Sequence, residues 1–99
     1  MTFIEVDDRH VGAQWTGFNM DAIRNFLCAH TIDGTKIAVE IYGWPCTIRA
    51  RIDDTTHTMH VGDILVIADD GATDNIIVIE PEPFFAAFPN ATQHKYENR

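Results

Sequence analysis

Arg49 and Arg51, two positions apart in the segment CTIRARI, are the residues of this chain best suited to chemistry. On a strand, side chains two apart leave the same face, so both guanidinium groups stand side by side with Thr47 next to them. Guanidinium forks donate paired, charge-assisted hydrogen bonds that match phosphate. Trp15, Tyr42 and Trp44 are rings that can stack on a planar base. The helix that Asn19 opens adds N–H groups without intrahelical partners, a setting that favours an anion, and Thr16 and Asn19 place polar side chains there. One reading is a ligand site for a phosphate-bearing, ring-containing molecule built from Trp15, Thr16, Asn19, Tyr42, Trp44, Arg49 and Arg51. The competing reading pairs Arg49 and Arg51 with Glu40 or Asp63 on neighbouring strands.

Other chemistries find less support. His57 and His60 in HTMH are three apart, which on a strand sends them to opposite faces and prevents chelation. His10, His30 and His94 have no ligand partner at a suitable spacing. The segment DDGATDN is too short for a calcium-binding helix–loop–helix, is flanked by strands, and reads as a hairpin loop. There is no GxSxG, GxGxxG or Walker pattern. The carboxylate pairs Asp7-Asp8, Asp53-Asp54 and Asp69-Asp70 fall in turns, where aspartates serve local hydrogen bonding and solubility. Cys28 and Cys46 lack a CxxC spacing and read as reduced, small core residues. The expectation is a protein with no catalytic residues, no metal and no cofactor.

Composition sets the frame. A chain of 99 residues, 45% apolar, is one domain with one core. Fifteen carboxylates against seven Lys and Arg give a net charge of −8, which argues against direct nucleic-acid binding. The balance suits a basic protein partner, or imitation of a nucleic acid. The start MTFIEVDD is unlike a signal peptide, and no apolar run approaches the roughly 20 residues that cross a bilayer. Cytoplasm, with no membrane contact, is the expected setting.

The elements that position these residues follow from periodicity. Residues 1–10 read as a lead-in, and Val11 to Thr16 as a short strand. Asn19 is an N-cap, with Asp21 in the first turn, and Met20, Ile23, Phe26, Leu27 and His30 form a helical stripe that ends by Thr31. The period then becomes two, with Ile37, Val39 and Ile41 on one side of a strand. Cys46 to Ile52 follows, presenting Cys46, Ile48, Ala50 and Ile52 on one face and Thr47, Arg49 and Arg51 on the other. Thr55 to Val61 is the next strand, and Ile64 to Ile67 is an apolar run that requires a central position. Asn75 to Glu80 is the last strand; Pro81 to Phe88 is a helical turn, and residues 90–99 a polar tail. The order predicts an α+β fold: a twisted antiparallel β-meander, barrel-like if it curls far enough, with one N-terminal helix and a short C-terminal helix.

QWTGFNMDAIRNFL followed by MHVGDILVI resembles a widespread family of small uncharacterised bacteriophage proteins, whose members show a QWTG.N start, a helix ending near Phe-Leu, a later GDWII.G strand and a Pro-Asp-Ile-Phe helix. The match falls on Gln14, Trp15, Thr16, Gly17 and Asn19, then Gly62, Asp63 and Ile64, and weakly on Pro83 and Phe84. Leu65 stands where the family has tryptophan, and DNIIVIEPEP replaces its GEFYPCKP segment. The resemblance implies a phage accessory protein acting in an infected bacterial host. It fits an anti-defence sponge: a homo-oligomer that sequesters a cyclic nucleotide or cyclic ADP-ribose-type immune signal without cleaving it. An acidic protein–protein inhibitor of a host nuclease or other defence protein, and a minor phage structural or interaction protein, are the alternatives.

Overall fold

The computed structural model describes residues 2–43, 46–73 and 76–95. In chain order its elements are β1 (Thr2–Glu5), β2 (His10–Gln14), α1 (Met20–His30), β3 (Ile37–Gly43), β4 (Thr47–Ile52), β5 (Thr55–Met59), β6 (Ile64–Ala68), β7 (Ile77–Ile79), α2 (Pro81–Ala87) and β8 (Thr92–Lys95). The fold is α+β, as the periodicities predict. The strands do not close into a barrel: they form a five-stranded antiparallel sheet, ordered β7-β6-β2-β1-β8, and a separate three-stranded one, β3-β4-β5.

β6 and its neighbours explain the two layers. Its alternate residues Leu65 and Ile67 join Val11, Ala13 and Trp15 in a core shared with α1 and the inner face of the smaller sheet. Ile64 and Val66 face the other way, against Ile4, Val6 and Phe84. An uninterrupted apolar run is what a strand covered on both sides needs, and Ile64 to Ile67 are all buried. Phe84 of α2 is fully buried on that second face.

The helix stripe holds: Ile23, Phe26 and Leu27 are fully buried, and the ring centroid of His30 lies 4.7 Å from that of Phe26. At the C-terminal end of α1, the N–H and hydroxyl of Thr31 both donate to the Leu27 carbonyl, at 3.1 and 2.6 Å. β4 alternates as read, with Ile48, Ala50 and Ile52 buried.

Four expectations are corrected. The lead-in and the tail each contribute a strand: β1 pairs with both β2 and β8, with Thr2 opposite Lys95 and Glu5 opposite Thr92. TQHK of β8 carries no apolar residue, so only its backbone recommends it to the sheet edge. Cys28 and Cys46 are free thiols but exposed, so neither is a core residue. Ile41 is 67% exposed, because it lies beyond the cover that buries Val39. Thr47 starts β4 on the outward parity yet is 6% exposed.

Candidate functional site

The two segments QWTG.N and GD meet in space and interlock. The Trp15 N–H donates to the Asp63 carbonyl at 2.9 Å, and the Gly62 N–H donates to the Trp15 carbonyl at 2.7 Å. The Gln14 side-chain amide donates to the Gly62 carbonyl at 2.9 Å. Asn19 makes no side-chain cap on α1. Its carboxamide turns back instead: Oδ1 accepts from the Thr16 N–H at 2.9 Å and the Thr16 hydroxyl at 3.0 Å, and Nδ2 donates to the Gln14 carbonyl at 2.9 Å. Asp63, 7% exposed, closes the turn after β5 by accepting the His60 N–H on Oδ2 at 2.9 Å. These polar groups are engaged in holding a corner together.

Trp15 belongs to that corner. It is 2% exposed, and its indole N–H donates to the Cys46 carbonyl at 2.7 Å, so neither face of its ring is open to a stacking base. Trp44 lies outside the described residues.

Tyr42, Arg49 and Arg51 come together elsewhere, on the outer face of the three-stranded sheet. The Arg49 guanidinium carbon stands 3.4 Å from the centroid of the Tyr42 ring, a cation–π stack. In register, Arg49 lies between Glu40 and Thr58, and Arg51 between Ala38 and Thr56. Arg49 is half-buried, and Arg51 exposed. Among the described residues neither arginine forms an ion pair, with Glu40, Asp63 or any other carboxylate. The face therefore offers one stacked guanidinium–phenol platform, a second guanidinium and two threonine hydroxyls.

His57 sits opposite Ala50 in β5, and burial pushes its imidazole below the ordinary histidine range. Among the described residues no group of three His, Cys, Asp or Glu side chains could hold a metal. Asp70 uses its carboxylate on the Ala72 N–H at 2.9 Å, as a hairpin loop requires. Asp74 and Asn75 lie outside the described residues.

Two features have no signal in the sequence. A depression of about 600 Å³ opens between residues 5–10 and 87–90. Within it the Asp7 carboxylate is held below its usual range by the Arg9 N–H at 2.8 Å and by the His10 ring at 2.9 Å. The second is a gathering of carboxylates. The Asp69 N–H donates to the Arg9 carbonyl at 2.8 Å, placing Asp69-Asp70 beside Asp7-Asp8. Gly71 packs on Ile32, next to Asp33, and Asp53 exchanges hydrogen bonds with the Lys36 backbone at 2.8 and 3.0 Å. Seven exposed aspartates, Asp7, Asp8, Asp33, Asp53, Asp54, Asp69 and Asp70, thus share one end of the molecule, opposite the Trp15 corner.

Compared with protein-family models, curated proteins and solved structures, the chain matches none of them. Among the described residues no helix is long and apolar enough to cross a membrane.

Proposed function

We propose that this protein binds, without cleaving it, a small anionic ligand that carries both phosphate and a planar ring, on the outer face of β3-β4-β5. The observation behind this reading is the Arg49–Tyr42 stack with Arg51 on the same face, unpaired with any described carboxylate in an acidic protein. A base lies on the platform, and phosphate oxygens take the guanidinium forks. In the phage setting that the resemblance implies, the ligand is a cyclic nucleotide or cyclic ADP-ribose-type signal, and sequestration is the activity. Such binding needs no catalytic group, metal or cofactor.

Thermal unfolding against a panel of cyclic oligonucleotides and cyclic ADP-ribose isomers tests this. A ligand bound only by the folded state stabilises by about 2.7 kcal/mol at 100 times its dissociation constant. For a domain of this size the midpoint then rises by roughly 10 °C or more. The ligand is recovered unchanged, and the R49A/R51A double variant shows no shift. A flat panel, or an undiminished shift in the double variant, overturns the reading.

The seven-aspartate end favours a second reading, an inhibitor that presents carboxylates to a basic host protein as a nucleic acid presents phosphates. Such a complex weakens steeply with added salt, whereas insensitivity to salt removes it.

A further inference from the structure

Aspartate is followed by glycine twice in this chain, at Asp33-Gly34 and at Asp70-Gly71, and both aspartates are exposed in turns. Such a pair can react with itself. The glycine nitrogen attacks Cγ of the protonated carboxyl, whose hydroxyl leaves with the amide proton as water, and a five-membered succinimide closes. Water then adds back at one of the two ring carbonyls. Opening at Cγ restores the aspartate. Opening at the main-chain carbonyl leaves the chain running through Cβ and Cγ, an isoaspartate with one extra methylene in the backbone and its carboxylate on Cα. Atoms and charge balance, and water is the only co-reactant. Glycine permits the attack because no side chain shields its nitrogen. The dipeptide is the same at both sites, and their surroundings are not.

At Asp70-Gly71 both reacting groups are engaged. The Gly71 N–H donates to the Ala68 carbonyl at 3.2 Å, and the Asp70 carboxylate accepts the Ala72 N–H at 2.9 Å. Gly71 is buried, with its Cβ position 3.0 Å from the Ile32 nitrogen. The Asp69 N–H ties the preceding residue to the Arg9 carbonyl at 2.8 Å. Ring closure rotates the peptide between Asp70 and Gly71 and swings Cγ onto its nitrogen. That breaks both hydrogen bonds and drives the backbone against Ile32.

At Asp33-Gly34 both groups are idle. Among the described residues the Gly34 N–H has no hydrogen-bond partner, and the Asp33 carboxylate has neither a hydrogen bond nor an ion pair. A Cβ on Gly34 would meet nothing within 4 Å, so the peptide between the two residues has room to rotate. Only the flanks are pinned. The Thr35 N–H and hydroxyl donate to the Ile32 carbonyl at 3.1 and 2.6 Å, Thr31 is held to the Leu27 carbonyl, and the Lys36 backbone to Asp53. The turn between these anchors absorbs an added methylene without unfolding the elements on either side.

We propose that Asp33 is a site of spontaneous isoaspartate formation in the folded protein, and that the fold protects Asp70 from the same reaction. The product is a substrate for a protein methyltransferase that esterifies the isoaspartyl α-carboxylate with the methyl group of S-adenosylmethionine. Loss of methanol from that ester regenerates the succinimide, which is the route of repair. The proposal goes beyond the ligand reading above, and its test uses no ligand of that face.

The folded chain is aged at physiological temperature and neutral pH, beside the same chain in urea. An isoaspartyl methyltransferase with labelled S-adenosylmethionine, followed by peptide mapping, then reads each site. Asp33 converts in the folded chain at close to its own rate in urea, and its peptide splits into two isomers of equal mass. Asp70 converts about tenfold or more below its own rate in urea, because two hydrogen bonds must open first. Asp33→Glu removes the label from the turn, since glutamate must close a six-membered ring, and it keeps the wild-type circular dichroism. Folded protein with no label at Asp33, over the time in which the chain in urea converts, overturns the proposal. So does folding that slows Asp33 as much as Asp70.

Discussion

The indole N–H of Trp15 donates to the carbonyl of Cys46 over 2.7 Å, and this bond joins the end of one sheet to the turn that opens the middle strand of the other. Trp15 sits just past β2, at the centre of the five-stranded sheet, while Cys46 immediately precedes β4. The tryptophan thus acts as a strut between layers, and its exposure of 2% follows from that position.

Trp15→Phe keeps an aromatic ring but removes the donor and leaves a void. The expected loss is about 2–3 kcal/mol of stability, read as a lower urea midpoint with an unchanged slope. Ligand affinity on the β3-β4-β5 face is unaffected, because the ring does not reach that surface.

Arg49→Lys retains the charge and discards the plane that lies on Tyr42. Affinity for a ring-bearing phosphate ligand falls about tenfold or more, while stability stays within about 0.5 kcal/mol. Titration calorimetry and a melting curve on the same sample separate the two effects.

Gly71 and Gly34 offer a paired comparison. Both have positive φ, +85° and +91°, but a Cβ on Gly71 would lie 3.0 Å from the Ile32 backbone nitrogen, whereas Gly34 opens on empty space. Gly34→Ala costs about 1 kcal/mol from backbone strain alone. Gly71→Ala costs more, about 2–3 kcal/mol, because the Ile32 segment must also move. Equal melting temperatures for the two variants would show that the packing against Ile32 is slack.

Burial holds the imidazoles of His30 and His57 below the ordinary histidine range, so the fold prefers both neutral. The unfolded chain takes up its protons first, near the ordinary pKa of about 6.5. Their contribution is complete above that pH and is lost as pH falls through it towards the depressed folded values. Asp7, held low by the Arg9 N–H and then the His10 ring, adds a further loss only as pH falls below the ordinary aspartate range. His57→Gln removes one of the two histidine contributions. Urea midpoints at about pH 7.5, 6 and 5 should therefore vary less in the variant than in the wild type.

Periodicity made α1, β4 and β6 legible because each buries a face, and burial imposes its repeat on the sequence. β8 was not legible for the same reason in reverse: TQHK offers the sheet only backbone groups, which every residue carries. β1 does bury Ile4, but a strand of four residues is too short to print a repeat. Among the site residues, the same-face relation of Arg49 and Arg51 followed from strand geometry. The stack of Arg49 on Tyr42 did not, because Tyr42 sits where the β3–β4 register shifts, between Ile41 and Gly43. Residue type alone also misled for Trp15 and Asn19. An indole and a carboxamide suit a ligand as well as they suit a corner, and only the positions of Cys46, Gln14 and Thr16 decide between those uses.

Phe18, next to Gly17 at the Trp15 corner, is 95% exposed, and its separation from the seven aspartates has a practical outcome for anyone who immobilises this protein. A bead or sensor coated with quaternary amines captures it by the carboxylate end, so the adsorbed layer is oriented rather than random. Every tethered molecule then turns its phenyl-bearing loop to the liquid, and the coated surface, begun as a hydrophilic ion exchanger, becomes sticky to hydrophobic solutes.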